Sequence, residues 1–499
     1  MEEQGKGFVE DGQRKGNLKG DLRAFKRKNN IMTYCKDISP FIIFLCTTII
    51  MDTLKLKALS AKQLIIKGGM TMKFRKAAAL SLAGIMALCL GACNGGSGDG
   101  GGSGSGGGGG DLSVMIWDTY QEAGLKEILA DFTEETGIGA EIQVVPWNEY
   151  WTLLEAGAQG GDMPDVFWMH SNESERYMSN DMLLDLSDKI ADSQQVDLSK
   201  YPEDIKNLYT YEDKIYAVPK DVDTIALWYN KTMFDEAGIA YPDETWTWDT
   251  LVEVAKQLTK PDGSQYGFAM RNDTNQEGYY NIVYDMGGTI ISDDKTASGY
   301  DDPNTIKAMQ VVEKLVQDGS MPSIETMSEN GPDVLLKSGK TAMSFHGSWM
   351  ISSFKEEDYI KENCDCAVMP MDAESGRRVS IYNGLGWAAA ANGDNTDNAW
   401  KLIEYLGSEA AQTKQAELGV TMSAWEGTSD TWVNCAPEFN LQAYLDMRED
   451  MVIRPYSRST VTWENKASEI FKEAWAGNMS MEDACNQIAE EMNKTLADE

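Results

Sequence analysis

From residue 111 onward the chain switches repeatedly between two hydrophobic periods. Residues 112–117 form a short apolar-rich run of strand length. In residues 124–136, Leu125, Ile128, Leu129 and Phe132 recur three and four apart, the spacing of one helix face. A strand over 140–145, a helix over 147–158 and a strand over 165–169 follow. That alternation predicts an α/β fold with a doubly wound open sheet. Capping chemistry marks later helices: Thr247 precedes an amphipathic stretch at 248–258, and Asp301-Asp302-Pro303 opens one at 304–317. A strand at 388–391 and helices at 398–406 and 466–476 are also expected. A body of roughly 390 residues fits two domains better than one.

Upstream of 111 the pattern is different. Lys73, Arg75 and Lys76 precede an apolar run over 77–90, which ends in Leu90-Gly91-Ala92-Cys93. A positive start, an apolar stretch too short to span a bilayer and small residues before the cut define a signal peptide over 72–92. The four closing residues resemble a bacterial lipobox. That resemblance implies lipidation of Cys93, which becomes the first residue of the mature protein, anchored on the extracytoplasmic face of the cell membrane. Residues 93–110 are then a Gly/Ser tether. Residues 1–71 read as a start assigned too early: Lys67-Gly68-Gly69 can be encoded by a ribosome-binding sequence just ahead of the Met72 codon. The apolar run at 40–51 falls short of the roughly 20 residues of a spanning helix.

Charge divides at the same point. Residues 1–92 hold 16 Lys/Arg against 7 Asp/Glu, and residues 93–499 hold 28 against 72. So acidic a body repels nucleic acid and anionic headgroups, which leaves the lipid as its only membrane contact. Cys364, Cys366, Cys435 and Cys485 are too few for a disulfide scaffold and are expected as free thiols or one or two optional bridges. With His170 and His346 the only histidines, no metal site and no cofactor are expected.

Four segments carry a family pattern: Trp147-Asn148-Glu149-Tyr150-Trp151 with Pro164-Asp165-Val166-Phe167-Trp168; Asp221-Val222-Asp223-Thr224 with Trp228-Tyr229-Asn230-Lys231; residues 242–248; and residues 339–349. In that order they resemble the extracellular solute-binding proteins of carbohydrate ABC importers, the maltose-binding-protein-like group. The resemblance implies a periplasmic-binding-protein-like (type II) fold, two α/β lobes joined by a hinge around a sugar cleft. The expected segments are 111–222 and 367–430 for the first lobe, and 223–366 and 431–499 for the second. It further implies a monomer that delivers a carbohydrate to transmembrane permease subunits and catalyses nothing.

A sugar site needs flat aromatic faces against pyranose rings and carboxylates or amides for hydroxyls. Fourteen Trp and twenty Tyr supply the first. Trp168 ends a strand, where ligands of open α/β sheets lie, and it falls where the resemblance puts a sugar-contacting tryptophan. Ser171 and Asn172 replace the charged pair that follows it in maltose-binding protein, which argues against a maltodextrin. Asp223, at the expected crossing between lobes, is the leading carboxylate, with Asp221 second. Trp349 follows a strand and a Gly-containing loop and matches the family's stacking tryptophan. Trp117-Asp118, Asn383 with Trp387, Trp425, and Trp463 with Arg458 are further candidates by loop position. His346 reads as structural. Trp228, Tyr229, Trp246, Trp400 and Trp475 lie inside regular patterns and are assigned to packing.

Two other classes share these ingredients, a secreted glycoside hydrolase and a glycan-binding surface lipoprotein without a transporter. No Gly-x-Ser-x-Gly elbow occurs, and two histidines leave little material for a Ser-His-Asp site. Paired carboxylates for glycoside hydrolysis remain open at this level.

Overall fold

The computed structural model describes residues 111–272 and 276–499, which fall in one compact unit, Gly107–Glu499. Cys93, the signal peptide at 72–92 and the expectations for 1–71 and for the tether up to 110 lie outside the described residues.

The first elements follow the predicted alternation. Strand β1 (Leu112–Ile116) leads to helix α1 (Thr119–Thr136). The Asp118 side chain accepts from the Tyr120 N–H at 2.8 Å and caps α1, which buries Leu125, Ile128, Leu129 and Phe132. Burial of each such side chain contributes about 1.5–3 kcal/mol. Then come β2 (Ala140–Val144), α2 (Trp147–Gly160), β3 (Val166–Met169) and α3 (Ser171–Ser179). Downstream lie β4 (Ala217–Pro219), β5 (Ile225–Asn230), β6 (Met343–Gly347), β7 (Cys364–Ala367), β8 (Ser380–Tyr382), β9 (Gly386–Ala389) and β10 (Met451–Ile453).

These strands build two lobes. The first has a five-stranded sheet in the order β2-β1-β3-β9-β4. β1 pairs in parallel with β2 and β3, while β9 runs antiparallel to both β3 and β4. The sheet is therefore mixed, because β9 arrives from the far lobe rather than through a right-handed crossover. The second lobe is centred on an antiparallel sheet, β6-β5-β7, whose middle strand is buried at all six residues. Around it pack Trp248–Leu258, Pro303–Gln317, Thr460–Trp475 (α4) and Met481–Leu496. Thr247 and Asp302 cap two of these as expected, accepting from the N–H groups of Thr250 and Asn304.

Two separate apolar cores mark the lobes. One runs from Leu112 to Val218 and resumes at Tyr382 and Leu385; the other begins at Ile225 and still holds Met369, Val379 and Ile381. The chain thus returns to the first lobe near 382, later than the expected 367, because 368–381 stays packed beside β5. Trp228, Tyr229, Trp246 and Trp475 lie in the second core and Trp400 in the first.

At the crossings the backbone segments bond to one another. Asp223 and Asn383 exchange N–H···O bonds of 2.7 and 2.8 Å, and the Val222 N–H donates to Met422 O at 3.0 Å. A Cβ on Gly384 would stand 2.2 Å from Asp221 O, so only glycine lets the two segments lie this close. Lys220 is buried beside this ribbon, with Nζ donating to Asp221 Oδ2 at 2.6 Å and to Gln121 Oε1 at 2.9 Å.

Candidate functional site

A cleft of about 1010 Å³ opens between the lobes, against the ribbon. Its first-lobe wall grows from strand ends. Trp117 follows β1 and His170 follows β3, on the side of the sheet where carboxyl ends of parallel strands place ligands. The N-terminal turn of α2 adds Trp147 and Trp151, one helical turn apart and both in the wall. Trp117 packs edge to face on Trp147, 4.9 Å between centroids, and lies tilted against Trp151 at 6.0 Å. Trp147 is 38% exposed, so much of this aromatic surface still faces the opening.

The second-lobe wall carries Trp349, in the turn after β6. Its ring lies against Gly347: a Cβ there would meet the indole at 2.0 Å. Behind Trp349 is a smaller cavity of about 140 Å³ that reaches His346 and Glu277. His346 is satisfied structurally, with Nε2 2.9 Å from Ser344 Oγ, while Glu277 accepts from the Gly347 N–H at 3.1 Å.

Asp223 is the carboxylate at the floor. One oxygen, Oδ1, accepts from Ser348 Oγ at 3.1 Å and Thr421 Oγ1 at 3.0 Å. Burial, reinforced by the neighbouring Asp221 carboxylate, raises its pKa well above the usual range, against the opposing pull of Lys220 and the two hydroxyls. Beside it His170 Nδ1 accepts from the Asn172 N–H at 3.2 Å and caps α3. Burial, with the Arg454 charge nearby, lowers the His170 pKa to about 3, so the ring is neutral and carries its proton on Nε2. The Asn383 amide meets that nitrogen at 3.2 Å. A neutral ring already accepting at Nδ1 must donate at Nε2, so the amide oxygen belongs there and the NH2 is left for the cleft.

Arg454 completes the floor. Its Nη2 lies 2.5 and 2.6 Å from the two Glu464 oxygens, and Tyr280 donates to Glu464 Oε1 at 3.1 Å. Its Nη1 is buried and has no partner among the described residues. Lys337 reaches across from the second lobe to within 5.4 Å of the Tyr120 ring centroid.

Of the residues expected from sequence, Trp117, Asp118, Asp223, Trp349 and Asn383 line the cleft. Five do not. Trp168 is fully buried: its strand is central, its ring packs on Trp117 and Trp387, and Lys220 Nζ sits 4.6 Å from its centroid. Trp387 pairs directly across from Trp168 in β9 and is equally enclosed. Trp425 packs in the first core against Tyr201, and Trp463 turns inward on α4, donating to Ser457 Oγ at 3.0 Å. Arg458 lies beyond the wall, its backbone N–H on Glu499, and Arg454 occupies the position facing the cleft instead. Trp147, Trp151 and His170 were not anticipated. The i, i+4 spacing of the two tryptophans ahead of a strand was a readable signal for them.

Among the described residues no group of three or more His, Cys, Asp or Glu side chains is placed to hold a metal ion, and no helix is long and apolar enough to cross a membrane. The four described cysteines are free thiols.

Two hinged α/β lobes around an aromatic-walled cleft define a binding protein that encloses a small solute. A family model for the bacterial extracellular solute-binding proteins matches residues 117–413, and this chain belongs to that family. The multiple sugar-binding protein of Streptococcus mutans is 22% identical over 373 residues, 72% of this chain and 84% of that protein. The galactooligosaccharide-binding protein of Bacillus subtilis is 24% identical over 317 residues, covering 59% and 69%. Among solved structures, the ABC substrate-binding protein of Listeria monocytogenes in complex with cycloalternan superposes with a TM-score of 0.72 at 22% identity, over 78% of this chain and 99% of that one. The GacH receptor of Streptomyces glaucescens gives 0.69 at 22% identity, over 78% and 99%.

Proposed function

We propose that this protein captures a carbohydrate, an oligosaccharide by the extent of its aromatic wall, and hands it to the permease subunits of an ABC importer. The observation that carries this is the convergence of indole faces from both lobes, Trp117 and Trp147 on one side and Trp349 on the other, above a carboxyl group at the hinge. Stacked area contributes roughly 25 cal/mol per Å², and each hydroxyl bond adds about 0.5–1.5 kcal/mol. A few such contacts suffice for micromolar affinity, about −8 kcal/mol. The names borne by the sugar-binding relatives support the same reading.

The ligand-binding residues are Trp117, Asp118, Trp147, Trp151, Trp349, Asp223 and Asn383. The protein acts as a monomer, without catalysis. It is held at the extracytoplasmic face by a lipid on Cys93. Calorimetry of the protein against neutral oligosaccharides, with chromatography of the mixture afterwards, tests the central claim. Micromolar binding with unaltered sugar is expected; cleavage of the bound sugar, or silence toward every sugar, would refute it. Mass spectrometry of the native protein should find a diacylated Cys93 at its N-terminus, and peptides from residues 1–71 would overturn the early-start reading.

A further inference from the structure

Around Arg454 the cleft lining leaves buried donors unspent. Near Arg454 its carboxyl groups are largely engaged: Asp223 Oδ1 takes two hydroxyls, Glu464 takes Arg454 and Tyr280, and Asp118 takes the Tyr120 N–H and Gln121. The donors are not. Among the described residues Arg454 Nη1 and Trp151 Nε1 are buried without a partner, and both residues line this cleft. The Asn383 NH2 joins them once its oxygen meets His170. His170 adjoins Asn383 and Arg454, and Trp151 packs on Trp117 and Trp147 next to it. Asn383 touches its Nε2, its ring centroid is 5.5 Å from Trp147 and 6.4 Å from Trp117, and the Arg454 charge acts on it. Among the described residues, the buried acceptors left over on the lining are Asn172 Oδ1 and Asn383 Oδ1, and turning the Asn383 amide onto His170 spends the second.

A sugar hydroxyl both donates and accepts, whereas the unspent donors around Arg454 are best met by a group that only accepts. A carboxylate only accepts, and a guanidinium arm is its matching donor. Arg454 spends its other arm on Glu464, which keeps the buried pair neutral until a second anion arrives.

Resting on the sugar-binding reading above, we propose that this floor is a subsite for the carboxylate of a uronic acid unit, received by Arg454 Nη1, the Asn383 amide and the Trp151 indole N–H. The ligand is then an oligosaccharide carrying a single acidic residue at this end. Long polyanions are excluded by the net charge of the body.

Matched pairs that differ only in one CH2OH against COO⁻ test this: cellobiose with cellobiouronate, and galactobiose with galacturonosyl-galactose, by calorimetry on the full chain at pH 7. The acidic member of at least one pair should bind ten times more tightly or better, with the preference falling as salt is raised. In the double variant Arg454→Gln/Glu464→Gln, which leaves no lone buried charge, the preference should vanish. Equal or tighter binding of the neutral members, or of a glucosamine dimer, overturns the carboxylate subsite and leaves sugar binding standing. A preference that survives in the double variant removes Arg454 from the role. Silence toward every probe overturns both readings.

Discussion

Gly347→Ala separates the position of one aromatic ring from the stability of the lobe that carries it. The backbone at Gly347 has φ −75° and ψ 156°, which any residue adopts, and its N–H bond to Glu277 does not depend on the side chain. The new methyl instead lands 2.0 to 2.3 Å from three carbons of the Trp349 ring. Contact at about 3.5–4.0 Å requires the indole to retreat by roughly 1.5 Å. A stacked sugar loses a quarter to a half of its dispersion well for a gap of only 0.5–1 Å. One indole face covers about 100 Å², so complete loss of the stack costs about 2.5 kcal/mol, or roughly 70-fold in affinity. Gly347→Ala should forfeit at least half of that, about tenfold, with Trp349→Ala at the full value. Calorimetry with the best-binding oligosaccharide measures the affinities, and urea unfolding should show the Gly347→Ala midpoint near wild type. Wild-type affinity in Gly347→Ala beside a weakened Trp349→Ala would show that the ring does not move. Unchanged affinity in both would take Trp349 out of the site.

Trp168→Ala should cost about 3–5 kcal/mol in unfolding free energy, because the ring is enclosed between Trp117, Trp387 and Lys220; a loss below about 1 kcal/mol would mean the ring is not core. Lys220→Met strands the buried Asp221 carboxylate and should cost about 3–5 kcal/mol, largely restored in Lys220→Met/Asp221→Asn. A double variant no more stable than the single one would contradict that reading. His170 has a folded pKa of about 3, below its unfolded value of about 6.5. Its contribution is therefore complete above pH 6.5 and is lost as pH falls from there toward 3. Denaturant midpoints measured over that window should fall less steeply in His170→Gln than in wild type, and parallel curves would exclude the assignment. Asp285 runs the opposite way. Burial pushes it up to about 7, against the bonds it accepts from Trp248 and the Val379 N–H, so the folded state favours its protonated form. It stabilises most below the unfolded value near 4, and that stability drains away as pH rises through 7. Asp285→Asn should flatten the alkaline side of the profile.

Local pattern carried the first lobe well. Strands 112–117, 140–145 and 165–169 and their helices appear within a residue or two, apart from α1, which begins five residues before the expected 124 because Asp118 caps it. What local pattern could not convey was β9, a strand more than two hundred residues downstream that slots in antiparallel beside β3. That insertion converts the end of β3 from rim to centre, and it is why Trp168 and Trp387 are core rather than site. Trp117, one residue past a strand whose neighbours are β2 and β3, stays at the rim and lines the cleft. Asp223 and Asn383 were legible singly, as polar residues between apolar runs, yet their mutual bonding is a long-range fact. Arg454 rather than Arg458 faces the cleft because β10 pairs beside β8 and Arg454 donates its N–H to Tyr382 O, a register that no single-chain periodicity encodes.

Asp223 is bonded through its main chain to the returning segment at Asn383, and through its side chain to Ser348 in one lobe and Thr421 on the way back. The group that would greet a ligand is thus also the pin through which the moving parts are joined. One side chain fastens three stretches of chain that meet where the two cores part, so its loss would loosen both crossings at once.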